Sequence, residues 1–221
     1  LNAIIFTQVE KARERAKAAD AALARGEVWG LLHGLPMTIK ECFDWVGSPS
    51  TWGNPVYKEN YPKADAVAAE RLEDAGAIIF GKTNVPLMLA DWQTFNVIYG
   101  TTNNPWDLTR APGGSSGGAA AALAGGLTGL ELGSDIGSSI RNPAHYCGVF
   151  GHKPSYGIVP WKGHAIPGDL TPTDINVCGP LARSAEDLAL ALDLLTTDRS
   201  DKTGWQLNLP APEKRALKEF R

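Results

Sequence analysis

Gly113-Gly-Ser-Ser-Gly-Gly118, the alanine-rich run Ala119–Ala124, and Gly133-Ser-Asp-Ile-Gly-Ser-Ser-Ile-Arg-Asn-Pro143 decide the reading of this chain. Glycine lets a backbone approach a ligand closely and adopt dihedrals closed to other residues. Serine brings hydroxyls to the same place. The alanine run has high helix propensity and stops at Gly125–Gly126. Leu130–Gly133 reads as a short apolar strand that delivers the second loop. Asn142 followed by Pro143 reads as the cap and first position of another helix. Each loop therefore opens a helix. Backbone N–H groups at helix N-termini, with hydroxyls beside them, suit a developing oxyanion. Either loop alone could be a flexible turn; both together, with Lys40 in an apolar strand upstream, point to chemistry.

Working outward, residues 4 to 24 place Ile5, Val9, Ala12, Ala16 and Ala19 at helical spacing, and Gly26 supplies a stop. GLLHGLPMTIKE, residues 30 to 41, reads as strand, turn and strand, with Lys40 near the end of the second. Residues 42 to 63 are loop-rich. A helix capped by Asp65 is expected to run to Gly76. Ala77–Phe80 then reads as a buried strand of the parallel-sheet kind, and residues 81 to 114 as mostly loop. Ser184, with Asp187 three residues on, forms a capping box for a helix over Ala185–Leu195. The ALKEF run, Ala216–Phe220, looks helical and meets no stop signal. Helices alternating with short apolar strands give an α/β class with a mostly parallel or mixed sheet.

Two pattern matches fail on physical grounds. Gly76-Ala-Ile-Ile-Phe-Gly-Lys-Thr83 fits the phosphate-binding loop by letter, but its middle residues belong inside a strand, and Pro86 blocks the helix that should follow. Gly114-Ser-Ser-Gly-Gly118 fits the nucleophile elbow around Ser116, yet a loop and not an apolar strand leads into it. His145, Cys147 and His152 read as a core cysteine with flanking histidines. The net charge of −3 gives no field that draws nucleic acid, and no apolar run is long enough to span a membrane. An odd, scattered set of 3 cysteines fits a reducing compartment, so a cytoplasmic location is expected. No ligand set has metal spacing, so no metal or other cofactor is expected.

Together the two loops, Cys147-Gly and Gly151-His-Lys-Pro-Ser-Tyr-Gly157 resemble the amidase signature. The likeness extends to Gly34-Leu-Pro-Met-Thr-Ile-Lys-Glu41, to Gly81-Lys-Thr-Asn84 and to Gly179-Pro-Leu-Ala-Arg-Ser184. It implies a mixed β-sheet core flanked by helices, with residues 1–221 forming part of a single domain whose C-terminal portion is missing. It also implies a triad: Lys40 as base, Ser115 as bridging serine after a cis peptide bond, and Ser139 as nucleophile. The backbone amides of Ile136, Gly137, Ser138 and Ser139 take the place of the oxyanion hole, with Ser116, Asp135 and Arg141 as supports. One departure stands out, because the family more often has glycine where this chain has Ser138. Its side chain is expected to narrow the pocket.

A free lysine has a pKa near 10.4, so a lysine base must lose roughly three units, or about 4 kcal/mol, which burial can supply. Lys82 is a rival base, read instead as a structural lysine at a strand end. The function implied is hydrolysis of a carboxamide bond through an acyl-enzyme. Alternatives are an amidotransferase component that releases ammonia from glutamine, and a non-catalytic chain of the same fold. The partners implied are a small-molecule amide and the rest of the domain, with homo-oligomerisation left open.

Overall fold

The computed structural model describes residues 1–169, 171, 173–196, 207, 209–210 and 219; the Ala216–Phe220 expectation lies outside them, save Glu219. The elements run β1 (Ile4–Thr7), α1 (Val9–Ala24), β2 (Pro36–Lys40), α2 (Val67–Asp74), β3 (Ile78–Thr83), β4 (Phe95–Asn96), β5 (Gly100–Thr101), α3 (Gly117–Ala124), β6 (Glu131–Asp135), α4 (Arg141–Cys147), β7 (Phe150–Gly151), β8 (Val177–Ala182) and α5 (Ala185–Thr196). Six strands form one mixed sheet in the order β1-β3-β2-β6-β8-β7, and β4 and β5 form a small hairpin. The centre is parallel, β3 with β2 and β2 with β6, while β1, β8 and β7 join antiparallel. The expected α/β class with a mixed sheet flanked by helices holds.

Strand alternation on β2 feeds two different environments. Met37 and Ile39 enter a core with Phe43, Trp45, Ala69 of α2 and Leu195 of α5. Thr38 and Lys40 take the other face, where α3 and α4 bury Ala120, Leu123, Ile140 and Ala144. Because both faces are covered, β2 is buried from Met37 onward. Among the described residues no helix is long and apolar enough to cross a membrane.

Several local expectations shift. Ile4–Thr7 is an edge strand, not the start of a helix; Ile-Ile-Phe-Thr is β-branched and aromatic, and β3 offers it a pairing edge. Residues 30 to 34 form turns without a first strand, because Leu32 N and Gly34 N donate to Ala75 and Gly76 carbonyls. Asp65 is not the cap of α2: Ala66 holds that position, and Asp65 Oδ1 accepts from Val46 N at 2.7 Å. Likewise Ile140 caps α4, placing Asn142 and Pro143 inside its first turn. β3 and β6 run past the expected strand ends to Thr83 and Asp135. Of the expected capping box at α5 the Ser184 side is present, with Asp187 N donating to Ser184 Oγ at 3.0 Å.

Candidate active site

β2 ends at Lys40, β6 ends at Asp135, and α3 begins at Gly117. These three ends converge. Lys40 is fully buried, and its Nζ lies 2.7 Å from Ser115 Oγ, 3.0 Å from Ser134 Oγ and 3.5 Å from Ser134 O. Burial lowers its pKa to about 8. The neighbouring charges that oppose this are Cys42, Asp135 and Cys178, but burial pushes the Cys42 thiol up to about 12 and Cys178 higher still. Both thiols are therefore neutral when Lys40 titrates, and Asp135 is the anion that acts.

The Gly114–Ser115 peptide bond is cis. The two loops are stitched together by four hydrogen bonds: Ser116 N donates to Ser139 O at 3.0 Å, Ser116 Oγ to Ser134 O at 3.3 Å, Ser134 N to Ser116 Oγ at 3.4 Å, and Gly114 N to Asn142 Oδ1 at 3.1 Å. Gly133 must lack a side chain, since a Cβ there would meet Ser116 Oγ at 2.9 Å and Leu181 Cδ1 at 2.7 Å. Ser115, Ser134 and Ser139 share the wall of one cavity of about 230 Å³.

Asp135 organises the second loop. It accepts from Ser138 N and Ile140 N, both at 2.9 Å, and from Arg141 Nε and Nη2 at 3.1 and 2.9 Å. Burial alone would raise its pKa; the Arg141 guanidinium and the backbone amides outweigh this and hold the carboxyl below its usual range. The Ser138 amide is thus already engaged by Asp135. Among the described residues no hydrogen bond occupies the amides of Ile136, Gly137 or Ser139. Ser138 itself takes φ +82°, and it lines neither this cavity nor the groove beside Ser139, so it does not narrow the pocket as expected.

Sequence reasoning missed four contributors. Ser134 is the second hydroxyl on Lys40. Trp92 donates Nε1 to Gly137 O at 2.8 Å, pinning the carbonyl of the peptide whose N–H Asp135 holds. Trp52 and His164 line the cavity. Lys82, the rival base, is buried elsewhere and donates to Glu41 O, Pro49 O and Ser50 Oγ at 3.0, 2.8 and 3.0 Å. His145 is exposed, and Cys147 is a buried free thiol. Among the described residues no His, Cys, Asp or Glu cluster could hold a metal ion.

The family model described as Amidase matches residues 1–221. The chain belongs to the amidase family. Over 211 residues it is 41% identical to a glutamyl-tRNA(Gln) amidotransferase component of Gloeobacter violaceus, an alignment covering 95% of this chain and 42% of that protein. A bacterial aryl acylamidase of the amidase signature enzymes superposes with a TM-score of 0.84 at 33% identity, covering 95% of this chain and 43% of that one. Fatty acid amide hydrolase gives 0.79 at 32% identity, covering 84% and 33%. The chain thus spans less than half the length of these amidase relatives.

Proposed function

We propose that the protein hydrolyses a carboxamide bond through a serine acyl-enzyme, with Ser139 as nucleophile, Ser115 as relay and Lys40 as base. The observation that carries this is the buried Lys40 Nζ, 2.7 Å from Ser115 Oγ, where Ser115 shares a cavity wall with Ser139. Neutral Lys40 accepts the Ser115 proton while Ser115 accepts that of Ser139. Ser139 Oγ then bonds to the amide carbon, and the free amides of Ile136, Gly137 and Ser139 receive the oxyanion. The proton returns through Ser115 to the leaving nitrogen as the C–N bond breaks. Water attacks the ester by the same relay and frees the acid and Ser139.

On this reading residues 1–221 form part of one amidase domain, and its three free, buried cysteines fit a reducing cytoplasmic setting. In the intact protein a fluorophosphonate probe should label Ser139. Ser139→Ala should abolish labelling and turnover, and Ser115→Ala should leave only slow labelling. An adduct found by mass spectrometry on Ser115 or Ser138 would overturn the assignment. The likeness to an amidotransferase component favours a second reading, in which glutamine is the amide and its ammonia passes to a partner. Ammonia release from glutamine, set against hydrolysis of aryl amides, separates the two.

A further inference from the structure

Trp52 and His164 line the same cavity as Ser115 and Ser139, and the chemistry above uses neither. Both are buried, at 6% and 2% exposure. Trp52 Nε1, His164 Nδ1 and His164 Nε2 are buried and have no hydrogen-bond partner among the described residues. The His164 ring is fixed between Phe43 and Trp52, with centroids 4.7 and 5.2 Å away, and its backbone N–H donates to Trp161 O at 2.7 Å. Burial lowers its pKa to about 3, so at working pH the ring is neutral, with one N–H donor and one bare nitrogen acceptor. Trp52 adds a second donor.

Unpartnered buried polar atoms are rare in folded proteins and cost free energy comparable to a lost hydrogen bond. Three on two rings that line one cavity, beside the reacting serines, are explained if a ligand completes them. The rest of that wall is largely apolar, with Met88, Leu89, Ile136 and Ile166, and its acidic side chain, Asp169, is exposed. A charged group set against a neutral imidazole and an indole would go unpaired.

Resting on the amidase reading, we propose that Trp52 and His164 form a specificity subsite for a neutral hydrogen-bonding group. That group is a hydroxyl, an ether or a second carboxamide carried on an otherwise apolar substrate. A site built to hydrogen-bond a substrate group discriminates strongly against the analogue that lacks it, because its own buried atoms are then left unpaired.

The test uses the intact protein and pairs of amides that differ only by an oxygen in place of a methylene, placed in either half of the molecule. For at least one pair, wild-type kcat/KM should favour the oxygen-bearing member by about tenfold or more. Trp52→Phe and His164→Phe should each bring that ratio toward one. A wild-type ratio near one for every pair, or a preference that survives both substitutions, overturns the proposal. If one variant fails to fold, the other still reads the ratio, and a wild-type ratio near one still overturns the proposal. Failure of the amidase reading looks different: no turnover and no Ser139 adduct with either member of a pair. In that event calorimetric binding of the same pairs to Ser139→Ala reads the subsite directly.

Discussion

Two buried lysines set the residue-scale problem. Burial lowers both Lys40 and Lys82 to about 8, so the shift alone does not choose between them. Their partners do. Lys82 donates to two backbone carbonyls and a hydroxyl, and carbonyls can only accept, so its ammonium is satisfied as it stands. Lys40 has one distant carbonyl, Ser134 O at 3.5 Å, and its nearer partners are the hydroxyls of Ser115 and Ser134 at 2.7 and 3.0 Å, which can donate to a neutral amine. In the intact protein the acylation rate should therefore rise with pH to a midpoint near 8, because below it the neutral fraction of Lys40 falls about tenfold per unit. Lys40→Ala should cost about 10³-fold in kcat or more, whereas Lys82→Met should leave the midpoint in place. A midpoint that moves with Lys82 would reverse the roles. Ser138 gives a second residue-scale prediction. At φ +82° a side chain is strained by roughly 1 kcal/mol, so Ser138→Gly should raise the melting temperature and Ser138→Ala should not. Equal melting temperatures for the two variants would count against stored strain.

At the scale of elements, the second loop is held from several sides. Asp135, at the end of β6, binds amides at the start of α4. Asn142, within α4, reaches back to the first loop. From the segment before β4, Trp92 grips Gly137 O. The peptide between Gly137 and Ser138 is thus fixed at both its carbonyl and its N–H, which sets the direction of the amides on either side. Trp92 is 61% exposed, so little packing is lost when it is changed. Trp92→Phe should slow probe labelling of Ser139 about tenfold, the scale of one positioning hydrogen bond, while the melting temperature hardly moves. Unchanged labelling would mean the loop holds its shape without Trp92.

For the whole molecule, the sheet separates the core packed on α2 and α5 from the apolar clusters around α3 and α4, and Glu131 is buried beside Thr38 on the α3 face. Its Oε1 is hydrogen-bonded to Thr38 Oγ1, and Thr83 Oγ1 lies 3.4 Å from Oε2. Burial raises its pKa from 4.5 to about 8, although the threonine hydroxyls pull the other way. The folded state therefore binds this proton more tightly than the unfolded state does. Its contribution to stability is complete below pH 4.5 and is lost as the pH rises through 8. Lys40 and Lys82 have the opposite sign, but over the range from 8 to 10.5. Glu131→Gln should match wild type near pH 5 and exceed it by a few kcal/mol at pH 8.5, by denaturant unfolding. Parallel pH curves for the two proteins would show that Glu131 is ionised in the fold.

The sequence by itself determined what short-range chemistry can determine. Gly113–Gly118 and Gly133–Ser139 announced two tight loops, the alanine run announced α3, and Ser184 with Asp187 announced the start of α5, since these depend on neighbours within a few residues. The order of motifs carried the family. Tertiary structure decided wherever a segment had two local options and a distant partner chose. Ile4–Thr7 fits a helix or a strand, and the open edge of β3 settled it. Asp65 and Asn142 are good helix caps, yet Val46 N and Gly114 N, far away in sequence, claimed their oxygens. The second loop shows the same rule: the run from Ile136 to Ser139 offers four amides, and only the fold, by turning Ser138 N to Asp135, engages one of them. The unpaired nitrogens of Trp52 and His164 could not be read from sequence at all, because a missing partner is a property of the packed interior and not of the residue.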